Sequence, residues 1–508
     1  MSKSRFPSHQ MGAHKAPMSV PPIPSVQSGA AAAPVKGRSP RTIALIVASA
    51  MFMEQLDGTV LATALPTMSR SFHVDPLHMN VALTSYLLSL AVFIPMSGKV
   101  ADRFGSRTVF RAAIAIFILG SILCASAPSL MFFVASRVLQ GIGGALMMPV
   151  GRLVLLRAVP KKDLVSAMAW LLVPATLGPV LGPPIGGLII TYLDWRWIFY
   201  INVPIGLLGM GLASIYIDEF RETERASFDF KGIVLSGVAL VSLMTCFEMV
   251  GRGVGSLAAA GALLAIGVAA SLIYTRHARS HGAPVLDFRL MKIPTFRISV
   301  VSGTLSRISV GAMPFLLPMM LQLGFGVSAA QSGFITFVNA AGVLCMRTLA
   351  PRFLRRIGFK NVLVWVGLVS TLLLAGCAAL RPSWPLAAIY ALLFAQGFTQ
   401  SLQFISYNTI AYADVRSERM SAATSFYTTF QQLSLALGIA FSAAALAVST
   451  HSLGHDQPQL VDFSVAFLAV AMVSLFASVN SSAMESHAGS QVSGHRAKPL
   501  APVAAAAD

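Results

Sequence analysis

Glu54 and Asp57 are the residues whose chemistry stands out. Both lie inside the apolar stretch IALIVASAMFMEQLDGTVLATALP, residues 43–66. About 20 apolar residues at 1.5 Å each cross a hydrocarbon core of roughly 30 Å, so this stretch is long enough to span a bilayer. The i, i+3 spacing puts both carboxyls on one helical face. A charge at that depth costs at least roughly 2.5–3.5 kcal/mol on insertion scales, and residues kept there usually face water or a partner and move ions or protons. The chemistry on offer is reversible protonation. A third acid, Glu248, stands near the far end of the seventh apolar run and reads as an interfacial residue. Arg137 and Arg307 are cations inside the fourth and ninth runs. Charge balance makes Asp57 or Glu54 the candidate partner of Arg137. Arg307 suits an anionic substrate or a structural partner equally. Gln396, Gln400 and Gln403 share one face of the twelfth run. With Gln140 and Arg307 they form the candidate cavity set, the alternative being that they join helices. The sequence has no phosphate-binding glycine loop followed by Lys-Ser/Thr, so ATP is not expected to supply energy. It has no His/Cys metal spacing, and no cofactor or enzymatic constellation is expected. Cys124, Cys246, Cys345 and Cys377 lie in apolar runs and read as small core residues.

These residues need long apolar helices to hold them. The 508 residues are 55% hydrophobic and only 11% charged, against about a quarter charged in soluble domains. Apolar runs fall near 43–66, 80–98, 108–127, 130–151, 164–191, 197–217, 232–251, 257–275, 297–322, 330–350, 360–380, 385–411, 420–448 and 461–482. The expectation is an all-α integral membrane protein with fourteen transmembrane helices. The net charge of +18 is a matter of topology and does not imply nucleic acid. Arg70, Arg196, Arg252 and Arg381 occupy the odd-numbered loops, Arg137 and Arg307 lie in spans, and every other Lys and Arg falls in the tails or even-numbered loops. That asymmetry places both termini in the cytoplasm. Residues 1–40 lack a signal-peptide core and read as a disordered cytoplasmic tail. The expected layout is a six-helix bundle over 41–217, a linker with an extra helix pair over 218–296, a second six-helix bundle over 297–482, and a tail over 483–508. Two bundles with a midplane site between them suit a transporter.

Four motifs punctuate this layout. The second loop reads Gly98-Lys99-Val100-Ala101-Asp102-Arg103-Phe104-Gly105-Ser106-Arg107. Its charges are placed to lock two helix ends, with Lys99, Arg103 and Arg107 around Asp102. The tenth loop, Pro351-Arg352-Phe353-Leu354-Arg355-Arg356-Ile357-Gly358, is a weaker counterpart that lacks the acid. The fourth helix holds Arg137-Val138-Leu139-Gln140-Gly141-Ile142-Gly143-Gly144, whose glycines admit a neighbouring helix. The fifth holds Gly178-Pro179-Val180-Leu181-Gly182-Pro183-Pro184-Ile185-Gly186-Gly187, with prolines that kink it and a flat glycine face. Then comes Trp195-Arg196-Trp197-Ile198-Phe199-Tyr200-Ile201-Asn202-Val203-Pro204, with tryptophans suited to the membrane interface.

Together with Leu56-Asp57-Gly58-Thr59-Val60 and Ala64-Leu65-Pro66, these motifs resemble the major facilitator superfamily, and within it the fourteen-helix drug:proton antiporters. The resemblance runs over about 41–482, and multidrug-resistance members from Gram-negative bacteria are nearest in pattern. Ser106 and Pro174 depart from the family pattern, standing where a basic residue and a glycine are usual. The resemblance implies a major facilitator fold and proton-coupled efflux of amphipathic drugs by alternating access. It implies a proton-coupling role for Asp57, Glu54 and Arg137, a conformational gate at Gly98, Lys99, Asp102, Arg103, Gly105 and Arg107, and an antiporter motif at Gly178, Pro179, Gly182, Pro183, Gly186 and Gly187. Asp57 is expected to be the main protonation site, with Glu54 assisting. Two other readings stay open: a proton-coupled exporter of an organic anion or metal chelate, and a membrane sensor or scaffold that no longer transports. The expected setting is the bacterial plasma membrane, the inner one in a Gram-negative cell. The protein is expected to be a monomer whose partners are lipid, protons and a small molecule. The sequence does not identify an outer-membrane partner.

Overall fold

Long apolar stretches leave the backbone one economical solution in lipid, the helix, which satisfies every N–H and C=O internally. The computed structural model describes residues 40–159, 164–219, 229–252, 256–282, 284–416, 419–485 and 488–489. Within these, all the regular secondary structure is helical. The membrane helices are α1 (Pro40–Phe72), α2 (Val81–Phe93), α3 (Ser106–Ala125), α4 (Leu130–Ala158), α5 (Leu164–Tyr192), α6 (Asn202–Tyr216), α7 (Phe230–Arg252), α8 (Leu257–Ser280), α9 (Pro294–Met319), α10 (Ala329–Ile357), α11 (Gly367–Cys377), α12 (Leu386–Ile410), α13 (Met420–Ser452) and α14 (Leu460–Ser481). The all-α membrane fold with fourteen helices is therefore as the sequence predicts. The expected tail over 1–39, most of the loop at 220–228 and the end of the chain from 490 lie outside the described residues, as does the side chain of Pro174.

Helix packing follows the small residues. Helix α1 lies along α5 and also meets α4 and α6, while α3 pairs with α4 and α6. Later in the chain α9 packs on α13 and α14, α10 on α12, and α11 on α14 and α12. Two broad contacts link the early helices to the late ones, α5 with α10 and α2 with α13. Helices α7 and α8 pack on each other, and α7 also lies against α13 and α2.

Some sequence expectations change in three dimensions. Helix α5 runs unbroken through Pro179, Pro183 and Pro184. Arg107, expected in a cluster around Asp102, meets a second acid that the motif does not contain. Its Nε lies 3.8 Å from Glu219 beyond α6, and its Nη1 donates to the Ile217 carbonyl at 3.3 Å. Glu219 also accepts the N–H groups of Arg107 (3.1 Å) and Thr108 (3.2 Å), which are unsatisfied at the start of α3. Trp195 is buried rather than interfacial. It packs with Phe72, Phe133 and Phe199, whereas Trp197 faces outward. The sequence shows no metal spacing, yet the fold gathers Asp229, His277 and His281 with donor atoms within 4.8 Å of one another. The Asp229 carboxylate is already engaged. It accepts from the Gly232 N–H at 2.9 Å and the Val285 N–H at 3.3 Å, and it meets His277 Nε2 at 2.6 Å. It thereby caps α7 and clips α8 to it.

Both glycine loops turn alike. Gly105 adopts φ 93° and ψ 136° between α2 and α3, and Gly358 adopts φ 80° and ψ 160° after α10. Positive φ suits glycine, because a Cβ there meets the backbone. The weak tenth-loop motif keeps this turn although it has lost the acid.

Candidate functional site

Asp57 sits mid-way along α1, 1% exposed, and its carboxylate is saturated. Oδ2 accepts from Arg137 Nη1 at 2.6 Å. Oδ1 accepts from Gln140 Nε2 at 2.9 Å and from Asn202 Nδ2 at 3.0 Å. Arg137 and Gln140 come from α4, one turn apart, and Asn202 is the first residue of α6. Ser121 Oγ on α3 lies 2.8 Å from Gln140 Nε2 and 3.2 Å from Asn202 Nδ2. Arg137 also donates through Nε to the Ala82 carbonyl of α2 at 3.0 Å, and its guanidinium lies 4.3 Å from the centre of the Tyr86 ring. One acid thus fastens five helices. An ion pair buried in lipid needs this many donors to offset its desolvation, and breaking it by removing one partner costs about 3–5 kcal/mol.

Glu54, one turn earlier on the same helix, is in the opposite condition. It is buried and lines the central cavity. Among the described residues no side chain or backbone group bonds to it, and Oε2 is an orphan acceptor. Of the two carboxyls the sequence pairs, one is locked and one is unbonded.

The cavity measures about 330 Å³. Its walls come from α1, α2, α4, α5, α9, α10, α12 and α13, and are mostly apolar, with Glu54, Arg137, Asn339, Arg347, Gln400 and Gln432 among the polar points. The cavity wall continues into a shared apolar core that includes Leu65 and Met68 of α1, Met79 before α2, Leu316 of α9, Leu321 just beyond it, and Phe463 of α14. Of the expected cavity set, Gln400 lines the wall. Gln140 belongs to the Asp57 network. Gln396 accepts from Asn339 Nδ2 at 3.0 Å and so joins α12 to α10. Gln403 points at α11, where its Nε2 would lie 2.5 Å from a Cβ on Gly367. Arg307 is buried beside the cavity, behind Phe404, which lines it. The sequence reading missed Asn202, Ser121 and Tyr86. For Asn202 the available signal was an asparagine inside an apolar run, within the tryptophan motif itself.

The glycine motif of α5 sits directly against this site. A Cβ on Gly178 would stand 2.8 Å from Gln55 Cβ, on Gly182 2.0 Å from Thr59 Oγ1, and on Gly186 2.4 Å from Thr63 Oγ1. These three residues form one stripe against the α1 segment that carries Glu54 and Asp57. The other side of α5 meets α10, where Gly187 abuts the Ala329 carbonyl and Gly333 abuts the Pro183 carbonyl. On α4, Gly141 abuts Ser89 of α2.

The Major Facilitator Superfamily family model matches residues 47–439 and 299–487. Curated proteins named "Putative multidrug resistance protein MdtD" are similar over most of the chain. That of Serratia proteamaculans is 36% identical over 424 residues, covering 82% of this chain and 87% of the relative. That of Escherichia coli strain 55989 is 35% identical over 435 residues, covering 84% and 91%. Among solved structures, the nucleoside transporter NupG superposes with a TM-score of 0.63 at 15% identity, covering 86% of this chain and 98% of that one. A D-xylose-proton symporter gives 0.62 at 14% identity, covering 88% and 98%. At those identities the structural likeness concerns the fold.

Proposed function

The chain belongs to the major facilitator superfamily, and from that premise we propose that it is a proton-coupled exporter of amphipathic small molecules, set in the bacterial plasma membrane with both termini in the cytoplasm. It is read as a transporter and not an enzyme. The resemblance to multidrug resistance proteins supports the substrate class, and the Lys and Arg distribution supports the orientation. In that orientation the shared apolar core lies toward the outer end, which we read as closed, and the cavity serves the cytoplasmic side.

One observation carries the reading: a buried, unbonded carboxyl on the cavity wall, one turn from a carboxylate held by Arg137, Gln140 and Asn202. Glu54 exchanges its proton with the cavity. Asp57 is occupied by its donors while α4 and α6 hold it, and is open to a proton only when those helices move and Arg137 lets go. Proton entry from outside and substrate loading from inside then compete for the same state of α1. The helices divide into an early and a late six-helix bundle that rock about the α5–α10 and α2–α13 contacts. Each charge that crosses gains about 2.3 kcal/mol per 100 mV of membrane potential.

Purified protein in liposomes tests this. With an imposed pH gradient, Glu54→Gln is expected to lose uphill substrate accumulation by at least tenfold while keeping substrate exchange at equal pH. Asp57→Asn is expected to impair both, because it also unfastens five helices. Full pH-driven accumulation by Glu54→Gln would falsify the assignment.

A further inference from the structure

Arg307 is the one buried arginine in the described structure with no described acid beside it. It lies mid-way along α9 and is 2% exposed. Its side chain folds back over Gly303, where a Cβ would stand 2.7 Å from Nη1. The guanidinium lies 4.7 Å from the ring centre of Tyr427 and 5.4 Å from that of Phe404. Nη2 donates to the Tyr427 hydroxyl, and Nε has no partner. The described ion pairs are Arg107 with Glu219, Arg137 with Asp57, Arg196 with Asp194, and two His–Asp pairs. None involves Arg307.

A guanidinium does not shed its charge in a protein. Burying it without a counter-ion costs several kcal/mol, which is why Arg137 is met by Asp57 in the early helices. On α9 the matching anion is missing from the described chain. The aromatic rings offset part of the cost through their faces, but they leave the remaining donors unused. Phe404, which covers one side of the guanidinium, lines the central cavity, and so do Gln400 one turn before it and Gln432 on α13. The fork of an arginine fits the two oxygens of a carboxylate.

We propose that Arg307, with Phe404 and Tyr427, forms an anion subsite beside the cavity that receives the carboxylate of the transported molecule. The substrates are then amphipathic, aromatic carboxylates rather than lipophilic cations. The transported role of that ligand rests on the export reading above, whereas the subsite itself does not.

Binding to the purified protein by equilibrium dialysis, with no pH gradient, separates the two claims. The probes are 1-naphthoate, its neutral isostere 1-naphthamide, and the cation tetraphenylphosphonium. The wild type is expected to bind 1-naphthoate at least tenfold more tightly than 1-naphthamide. Arg307→Gln should erase that preference and leave the amide within twofold of wild type. Tyr427→Phe, which removes only a hydroxyl, should weaken 1-naphthoate a fewfold. Should Arg307→Gln not fold, Arg307→Lys decides. It keeps the charge without the planar fork, so weaker 1-naphthoate binding with unchanged amide binding supports the subsite. Equal binding of acid and amide by the wild type overturns it, as does tighter binding of the cation, or a loss in the variant that is equal for all three probes. Loss of proton coupling in Glu54→Gln with the 1-naphthoate preference intact would leave the subsite standing, and the reverse result would leave the coupling standing.

Discussion

The site comes down to how two carboxyls one turn apart meet different surroundings. Asp57 has a donor for each oxygen and more, while Glu54 has none among the described residues. Asn202 is the least obvious member of the Asp57 shell. It enters from the first residue of α6, and it bonds Ser121 as well. Asn202→Ala removes two buried hydrogen bonds and leaves Asp57 with fewer donors. A buried polar group left short costs about 1–3 kcal/mol. The variant is expected to melt several degrees lower in detergent and to transport more slowly, with substrate binding retained. An unchanged melting temperature would show that Gln140 and Arg137 hold Asp57 without it. That Arg137 pairs with one of the two acids of α1 was legible in the sequence from charge balance, whereas the choice of Asp57 over Glu54 was not. Spacing puts them on one face, but only the neighbouring helices decide which of them meets donors. Ser121 and Asn202 were hidden because small polar residues in apolar runs are common.

At the scale of elements, α5 connects the acid-bearing face of α1 to α10. Its glycine stripe leaves no room for a side chain, and the tightest point is Gly182 against Thr59. Gly182→Ala must push α1 and α5 apart or rotate Thr59, so transport is expected to fall at least tenfold. Adding Thr59→Ala removes the nearest atom and should recover part of the loss. If the double variant is as impaired as the single one, the close approach at Thr59 is not the cause. The stripe was readable as a motif, yet its two-sided use was not, since Gly187 and Pro183 meet residues of α10 more than 140 positions later in the chain. The clip between α7 and α8 is a second element-scale case. Burial acts to raise the Asp229 carboxyl, but His277 and the Gly232 N–H outweigh it and hold the carboxyl below its ordinary value of 3.8. A depressed carboxyl contributes stability above its unfolded value, and that contribution is lost as pH falls through the folded value. Asp229→Asn is therefore expected to lower the melting temperature at pH 6, with the difference shrinking as pH falls below the ordinary carboxyl value. A gap between wild type and variant that does not shrink with falling pH would assign the clip to packing. No local pattern points to it, because Asp229 and His277 stand 48 residues apart.

On the proposed reading, contacts between early and late helices at the apolar-core end hold the whole molecule in one state. Apolar runs and loop charges were enough to predict fourteen helices, and the paired glycine turns at Gly105 and Gly358 keep the trace of two related halves even where the tenth loop has lost its acid. Which end is closed depends on side-chain packing that periodicity does not report. At that end the Ala330 N–H donates to Thr191 Oγ1 at 3.0 Å, Gly187 abuts Ala329, and the Gln322 amide donates to the Thr63 carbonyl at 3.0 Å. Alternating access requires these contacts to part once per cycle. A cysteine pair, Thr191→Cys with Ala330→Cys, is placed to hold α5 against α10. In a background lacking the native cysteines, oxidation is expected to abolish net transport, and reduction should restore it. Binding of a probe from the Glu54 side should survive oxidation, because the cavity exists in the closed state. Loss of transport together with loss of binding would mean that the cross-link distorts the cavity instead of trapping a state. Undiminished transport with a fully formed cross-link would mean that this end does not open, and the rocking of two bundles would have to be abandoned.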